Sequence, residues 1–162
     1  MNNMTIRRAE LSDLDALAHM FDAYRQFYEQ PADLTLAREF LQERLQKSES
    51  VLLLAADASG QALGFCQLYP SFCSVEAKPI CTLYDLYVCP HARRSGAGRA
   101  LLLAAHDYAA SAGVARLDLT TARTNLAAQS LYESLGWVQD QIFLAYNKRV
   151  ELRTPKPGEQ AG

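Results

Sequence analysis

The chain has 162 residues, 49% of them hydrophobic, and a formal net charge of −2, values typical of one globular domain with a substantial core. The small net charge argues against a general nucleic-acid-binding protein. No apolar run approaches the ~18 residues that a membrane-spanning helix needs, and the first five residues lack the apolar core of a signal peptide. We therefore expect a cytoplasmic protein that has neither nucleic-acid nor membrane partners.

Four cysteines occur in the chain, at Cys66, Cys73, Cys81 and Cys89. They are widely spaced, no two of them form a C-x-x-C motif, and no pair of histidines lies nearby. This pattern does not predict a metal site. Reduced thiols that pack within strands are the expected state of these side chains, and that state fits a cytoplasmic protein.

The first half of the chain predicts strands and helices in alternation. Apolar residues recur at helical spacing after Ser12, which offers a helix N-cap, and a short apolar run and an alternating run follow later. Gly60 ends a predicted hairpin turn between those two runs. The predicted elements are a strand at Thr5–Ala9, a helix from Ser12 to Tyr28, a helix at about Leu34–Lys47, strands at Val51–Ala56 and Ala62–Tyr69, and a loop at Pro70–Pro79.

A strand, a basic glycine-rich turn and a helix follow one another directly in the middle of the chain. Residues Thr82–Val88 are β-branched and aromatic, as suits a strand, and Pro90 ends it. The turn is Arg93–Arg99, and the helix after it runs to about Ser111 and ends at Gly113. Backbone N–H groups and the positive end of the helix dipole then point at one place, which predicts a phosphate site.

Two familiar nucleotide-binding motifs do not fit this turn. A dinucleotide fingerprint needs its first glycine directly after the strand, whereas Gly96 lies well beyond Val88 and Leu101 occupies the third glycine position. A Walker A loop needs Gly-Lys-Ser/Thr, and that triplet does not occur. An ordinary strand-to-helix turn without a ligand is the alternative that the spacing leaves open.

The last third of the chain predicts a strand, a helix and two short strands. The strand is Arg116–Thr121, the helix is Asn125–Leu135 with Gly136 after it, and the short strands are Trp137–Val138 and Ile142–Lys148. Proline, glycine and charged residues dominate the end of the chain. We expect one domain over residues 1–150 and a flexible tail over residues 151–162. The element order predicts an α/β sandwich around a mixed sheet.

Three segments carry a family resemblance. Arg93-x-x-Gly96-x-Gly98 resembles the Arg/Gln-x-x-Gly-x-Gly/Ala signature of the GCN5-related N-acetyltransferases (GNAT family). The strand Leu83–Val88 with Pro90, and the segment Asn125-x6-Tyr132-x3-Gly136-Trp137, resemble further blocks of that family. The match runs from Thr5 to about Lys148. The Phe21–Tyr28 segment is also similar to members near the yeast histone/amine acetyltransferase branch.

The resemblance implies the fold and the cosubstrate. It implies a mixed, mostly antiparallel central sheet, flanked by helices and splayed between the fourth and fifth strands. It also implies acetyl-coenzyme A (acetyl-CoA) bound in the gap, with its pantetheine arm paired to main chain and its pyrophosphate held by the glycine turn. The residues implied in cosubstrate binding are Leu86, Tyr87, Val88, Arg93, Arg94, Ser95, Gly96, Ala97, Gly98, Arg99, Asn125, Ala128 and Tyr132.

The resemblance further implies how the reaction proceeds. Tyr132 is the expected general acid, since its phenol is protonated near neutral pH and can give a proton to the coenzyme A thiolate. Asp85, on the central strand, is the candidate general base, with a structural role as the alternative. Tyr84 is expected to point away from Asp85 and to line the acceptor cleft. The other predicted acceptor-binding residues are Tyr24, Arg25 and Tyr28, of which Arg25 favours an acceptor with a carboxylate.

The function predicted from these residues is an acetyl-CoA-dependent N-acetyltransferase. Its acceptor is a primary amine of a small molecule, an amino acid or a peptide. A non-catalytic acyl-CoA-binding sensor is the main alternative, and a ligand-free structural domain is a third. A homodimer is expected from base rates alone.

Overall fold

The structure, a computed structural model, describes residues 3–153. In this part of the chain five strands form one sheet in chain order, and there are four α-helices. The strands are β1 Thr5–Arg8, β2 Val51–Ala56, β3 Ala62–Cys73, β4 Lys78–Val88 and β5 Leu117–Asp118. The helices are α1 Leu14–Phe27, α2 Leu34–Gln46, α3 Ala97–Ser111 and α4 Leu126–Ser134.

The sheet has the predicted mixed character. Strands β1 to β4 pair antiparallel with their neighbours, and β5 joins β4 in parallel. The chain divides into two compact units after Asn125: the sheet with α1 to α3 belongs to the first, and α4 to the second. The expectation of a single domain over residues 1–150 stays a prediction.

Helices α1 and α2 cover one face of the sheet. The apolar stripe of α1 packs together with α2 onto side chains of β2 and β3. These strand side chains lie on one face of the sheet because residues two apart in a strand share a face. Phe65 lies in the centre of this layer, fully buried, with its ring against those of Phe21, Tyr24 and Tyr87. The buried cluster is Leu14, Leu17, Met20, Phe21, Ala37, Leu41, Leu52, Leu54 and Phe65.

Helix α3 covers the opposite face. Cys66 follows Phe65 in β3 and therefore points to the other side of the sheet, where its Sγ lies 3.9 Å from the carbonyl oxygen of Leu101. The buried residues of α3 recur at helical spacing and form its sheet-facing stripe. Gly113, with φ of +72°, follows α3 as its predicted cap.

The β3–β4 hairpin is longer than predicted. The expected loop over Pro70–Pro79 is wrong, because β3 continues to Cys73 and β4 begins at Lys78. Pro70 lies beyond the last pair that β3 forms with β2, Val51–Leu68. In the described residues this part of β3 is therefore an edge, where a proline without an N–H is tolerated.

Strands at the C-terminal end are shorter than predicted or absent. The strand predicted over Arg116–Thr121 forms only at Leu117–Asp118. The strands predicted at Trp137–Val138 and Ile142–Lys148 are wrong for the described chain, since residues 137–153 contain no strand. Asp140 gives a local reason, because its carboxylate accepts hydrogen bonds from the amides of Ile142 and Phe143 and so favours a turn. Of the predicted tail, residues 154–162 lie outside the described residues.

Candidate active site

A gap opens between β4 and β5. The two strands pair only at Cys81–Leu117 and Thr82–Asp118. Beyond Thr82, β4 continues to Val88 paired to β3, while no strand of residues 3–153 pairs with its other edge. An unpaired strand edge presents N–H and C=O groups that an extended ligand can bind. The predicted splay between the fourth and fifth strands is confirmed.

The glycine turn lies at the end of this gap. After Val88 the chain makes a short 3₁₀ turn over Pro90–Ala92 and then enters α3 through Gly96, whose φ is +90°. A side chain is strained at that φ, which explains the glycine. Arg93 Nε donates to the carbonyl oxygen of Val88 at 3.3 Å, and Ser95 Oγ donates to the carbonyl oxygen of Ala92 at 2.6 Å. These bonds hold the turn against the end of β4.

The first turn of α3 points its amides out of the helix N-terminus. The first intrahelical bond joins the Ala100 amide to the Gly96 carbonyl oxygen at 2.9 Å, and earlier amides have no carbonyl within the helix to bind. Arg94 also has a positive φ, +64°. Together with three arginines (Arg93, Arg94, Arg99), this turn combines backbone donors with positive charge, which is the chemistry that binds phosphate.

A β-bulge interrupts β4 at Tyr84. Gln67 of β3 pairs with Asp85, whereas its neighbour Leu68 pairs with Leu83, so Tyr84 is an extra residue in β4. Bulges of this kind redirect side chains next to functional sites. The bulge lies two residues after Thr82, the last residue of β4 that pairs with β5, so it marks the entrance of the gap.

The bulge changes where Tyr84 points. The prediction that Tyr84 and Asp85 face opposite sides is wrong, because the Tyr84 ring lies 5.6 Å from that of Tyr69. Tyr69 shares a face with Gln67, whose side chain contacts Asp85. Simple alternation fails here because the extra residue rotates the backbone.

Asp85 is the centre of a buried polar chain. It is 3% exposed, and Gln67 Nε2 donates to its Oδ2 at 2.6 Å. Ser50 Oγ in turn donates to Gln67 Oε1 at 2.7 Å. Burial raises the pKa of Asp85 above that of an ordinary aspartate, while hydrogen bonds from Gln67 and Tyr24 partly oppose the shift. A raised pKa makes a carboxylate a stronger base.

Three of the four predicted acceptor-binding residues lie around this carboxylate. Tyr24 donates its hydroxyl to the carbonyl oxygen of Tyr84 at 3.1 Å, and its ring lies 5.1 Å from that of Tyr28. Burial and the charge of Asp85 raise the pKa of Tyr24 and of Tyr28. Each therefore stays protonated and able to donate at neutral pH.

Arg25, the fourth, is engaged elsewhere. Its Nη1 lies 3.0 Å from Oδ1 of Asp22 and 3.4 Å from the carbonyl oxygen of Pro31. Asp22 is buried and also accepts from Gln26 and from the amide of Asp33, the N-cap residue of α2. This ion pair therefore joins the end of α1 to the start of α2.

The remaining predicted residues belong to the segment around α4. Asn125 directly precedes α4, and its amide donates to the carbonyl oxygen of Ala122 at 2.9 Å. Ala128 and Tyr132 lie within the helix. The Tyr132 carbonyl oxygen accepts from the amide of Trp137 at 3.1 Å, and the two rings lie 6.0 Å apart. The general-acid role of Tyr132 stays a prediction.

Four residues near the site were not predicted from the sequence. Gln67 and Ser50 support Asp85, Tyr69 contacts Tyr84, and Asp22 holds Arg25. Gln67 gives a weak signal, since it is a polar residue in an apolar strand run. Ser50 and Tyr69 give none, because their partners are distant in sequence, whereas Asp22 precedes Arg25 by three residues on α1, a spacing at which helix side chains meet.

Two properties of the described residues concern metal ions and membranes. Within residues 3–153, no group of three or more histidine, cysteine or acidic side chains is arranged to hold a metal ion. In the same part of the chain, no helix is both long enough and apolar enough to cross a membrane.

Known proteins are similar to this chain in sequence and in fold. The model of the Acetyltransferase (GNAT) family matches residues 15–137. The uncharacterized N-acetyltransferase YhfO of Bacillus subtilis (strain 168) is 49% identical over 143 residues, which cover 88% of this chain and 95% of that protein. The crystal structure of a probable acetyltransferase is 39% identical, with a TM-score of 0.86 over 92% of this chain and 99% of the other.

A more distant solved structure adds a ligand complex. Aminoglycoside N-acetyltransferase AAC(6')-Iy, in complex with CoA, is 20% identical to this chain. Its TM-score is 0.75, with 93% of this chain and 97% of the other covered. At that identity the likeness concerns the fold alone.

The family match and the relatives identify this mixed α/β fold, with its split sheet and glycine turn, as that of an acyl-transferring enzyme. The chain belongs to the GNAT acetyltransferase family and is an N-acetyltransferase.

Proposed function

We propose that this enzyme transfers the acetyl group of acetyl-CoA to a primary amine of a small molecule, an amino acid or a peptide. One observation carries the proposal: the unpaired edge of β4, from Leu83 to Val88, leads directly to the glycine turn at the N-terminus of α3. Both features belong to the first unit of the chain. A strand-like arm that ends in a diphosphate matches this pairing of an open edge with an anion site.

The residues of the turn fit a diphosphate. No atom lies within 4 Å of the position that a Cβ on Gly96 would occupy, so the space beside the backbone is open. The residues that would hold the pyrophosphate are Arg93, Arg94, Ser95, Gly96, Ala97, Gly98 and Arg99. Leu86, Tyr87 and Val88 would pair with the pantetheine arm through main chain, and Asn125, Ala128 and Tyr132 would contact it from the α4 segment.

The chemistry needs a base, an oxyanion donor and an acid. When bound, acetyl-CoA supplies the thioester carbonyl and a thiolate leaving group. Asp85 accepts a proton from the acceptor ammonium, directly or through water, and the amide of Leu86 or Tyr87 polarises the acetyl carbonyl. The amine nitrogen then forms a bond to the carbonyl carbon and, as the carbon–sulfur bond breaks, releases its second proton to solvent. Tyr132 gives its phenolic proton to the sulfur and regains one from solvent.

Titration calorimetry with coenzyme A tests the turn, and the chain offers a matched control. Gly96 and Gly113 lie at opposite ends of α3, both with positive φ and open space around a Cβ. Each glycine-to-alanine change costs about 1–2 kcal/mol of backbone strain. We expect Gly96→Ala to weaken coenzyme A binding by about tenfold or more and Gly113→Ala to leave it unchanged. Equal affinities for the two variants would contradict the proposed phosphate site.

Thiol release tests the general acid. We expect Tyr132→Phe to lower kcat by about 10²-fold or more while it keeps the affinity for coenzyme A, because it removes only the proton donor. Tyr108→Phe is the control, since Tyr108 of α3 stacks under Arg8 with no predicted role in the reaction. A Tyr132→Phe enzyme with wild-type turnover would transfer the proton role to water.

Other predictions accompany this proposal without a structural test. They are a homodimer, a cytoplasmic location, and a relation to the yeast histone/amine acetyltransferase branch. Sedimentation of the purified protein measures the first of these directly.

A further inference from the structure

Four tyrosines gather at the bulge of β4. Tyr24 and Tyr28 come from α1 and its C-terminal cap, with ring centroids 5.1 Å apart. Tyr69 and Tyr84 come from β3 and β4, with ring centroids 5.6 Å apart. The hydroxyl of Tyr24, 3.1 Å from the carbonyl oxygen of Tyr84, joins the two pairs. We call these four residues the tyrosine cluster.

One carboxylate acts on the tyrosine cluster. The negative charge of Asp85 raises the pKa of three of its hydroxyls, those of Tyr24, Tyr28 and Tyr69, in addition to the effect of burial. Burial and the same charge also raise the pKa of the Cys66 thiol, to about 12. The hydrogen-bond donors that reach Asp85 are neutral, the Gln67 amide and the Tyr24 hydroxyl. Among residues 3–153, Asp85 forms no ion pair.

The cationic side chains around the cluster are already paired. Arg25, on α1, is bound to Asp22. Arg44, on α2, lies 2.9 Å from a carboxylate oxygen of Glu43 and 2.6 Å from one of Glu49, and its guanidinium stacks on Phe40. Each of these two guanidinium groups already has its charge balanced by a carboxylate.

The faces of tyrosine rings attract cations, and a buried carboxylate without a counter-ion gains most from one. Tyr28 and Tyr84 are 43% and 65% exposed, so a solute can reach their rings. Resting on the proposed function, we infer that the tyrosine cluster is the acceptor subsite, and that it takes the ammonium of an amine with no carboxylate on the carbon next to the nitrogen. This outcome departs from the prediction that Arg25 selects a carboxylated acceptor.

Charge is the reason for the selection. An ammonium over the rings is attracted by them and by Asp85, and Asp85 then removes its proton. A carboxylate on the neighbouring carbon would lie beside the like charge of Asp85, while the two arginines near the cluster already have carboxylate partners. Amino acids are therefore disfavoured as acceptors, and simple alkyl or arylalkyl amines are favoured.

Three related amines test the inference by acetyl-CoA-dependent thiol release. Phenylethylamine lacks a substituent beside the nitrogen, phenylalanine carries a carboxylate there, and phenylalaninol carries an uncharged group of similar size. We expect phenylethylamine and phenylalaninol to agree in kcat/KM within about threefold, and phenylalanine to be lower by at least about tenfold. Equal values for phenylalanine and phenylalaninol, or a preference for phenylalanine, would overturn the inference.

Coenzyme A calorimetry separates this failure from that of the proposed function. If none of the three amines supports thiol release from acetyl-CoA, the inference is overturned. If coenzyme A also fails to bind, the proposed function fails with it. If coenzyme A binds normally, or thiol release favours phenylalanine, the cosubstrate site stands and only the acceptor assignment falls.

Substitutions at Tyr84 test the role of the tyrosine cluster. We expect Tyr84→Leu to raise KM for phenylethylamine by about three- to tenfold, because the ring face is lost, while the Kd of coenzyme A stays unchanged. Tyr84→Phe keeps the face and is expected to restore KM to within about twofold. Phe72→Leu removes another exposed ring of the same hairpin and serves as the control. An unchanged KM in Tyr84→Leu would overturn the assignment.

Discussion

The backbones of β3 and β4 approach each other closely at Gly64, and its replacement by alanine tests how the sheet supports the site. Gly64 pairs with Val88 near the end of β4. A Cβ there would lie 2.5 Å from the carbonyl oxygen of Tyr87 and 3.2 Å from Cα of Val88. Cβ atoms essentially never approach another atom closer than 3.0 Å, so the carbonyl must move by about 0.5 Å, the difference between the two distances.

The cost of Gly64→Ala follows from what is displaced. The atoms in contact are backbone, which cannot rotate away as a side chain can, and overpacking in a well-packed core costs about 1–3 kcal/mol. We expect a loss of about 2–3 kcal/mol in the free energy of unfolding, measured by urea denaturation. The corresponding fall in Tm is about 5–10 °C for a domain of this size.

Gly64→Ala has a second readout at the site. The displaced residues, Tyr87 and Val88, are two of those proposed to pair with the pantetheine arm. We therefore expect coenzyme A affinity to fall by about tenfold. Gly60→Ala is the matched control, because Gly60 lies in the β2–β3 turn with φ of +87° and no atom within 4 Å of a Cβ. It is expected to lose about 1 kcal/mol through strain alone, with coenzyme A binding intact.

Two results would refute this reasoning. Neutral surface substitutions change the free energy of unfolding by no more than about 0.5 kcal/mol. A change as small as that in Gly64→Ala would show that β4 moves without cost. A destabilised protein with unchanged coenzyme A affinity would show that the backbone of Tyr87 and Val88 does not contact the cosubstrate.

Three acidic residues give further predictions. Because burial raises the pKa of Asp85, the folded protein binds its proton more tightly than the unfolded chain, and its contribution to stability falls as pH rises from the ordinary aspartate pKa to the raised one. Asp85→Asn should therefore stabilise the protein more at pH 7 than at pH 4 in urea titrations, and an equal effect at both would contradict this. Asp22→Ala, which leaves Arg25 unpaired, should cost about 2–3 kcal/mol in the same assay, and a neutral result would deny the α1–α2 link. The hydrogen bond from Arg7 lowers the pKa of Asp13 in the folded protein. The pair therefore stabilises the fold fully at pH values above the ordinary aspartate pKa, and this contribution is lost as the pH falls through the lowered pKa of Asp13. Solvent screening at Arg7 limits its contribution to about 1 kcal/mol, which Asp13→Asn should remove at pH 7 but not near pH 2.

Local sequence patterns predicted much of this fold. The bounds of α2 and α3 agree with the predicted ones within about a turn at their starts, and the turns at Gly60 and Gly113 form where the glycines predicted them. These elements are determined by residues close in sequence: side-chain periodicity, caps and positive-φ glycines. The glycine turn before α3 is of the same kind, which is why one short motif could indicate both the site and the family.

Long-range pairing decided the rest. Whether Pro70 lies in a loop or a strand depends on the absence of a β2 partner beside it in the described sheet, which no local pattern records. The prediction of C-terminal strands was wrong for a related reason. Alternation of apolar and polar residues shows that a segment could present one apolar face as a strand, but a strand also needs a partner to pair with.

The sequence alone determined α2, α3 and the glycine turn between β4 and α3, because each depends on neighbours along the chain. Only the tertiary structure decided the geometry around Asp85. The bulge at Tyr84 arises from the register between β3 and β4, and it places Tyr84 on the same face as Asp85. The hydrogen bond from the amide of Asp33, at the start of α2, to the carboxylate of Asp22 likewise became visible only once α1 and α2 were packed together. Register and packing join residues that are far apart in sequence, and their energies are set by the assembled sheet and helices.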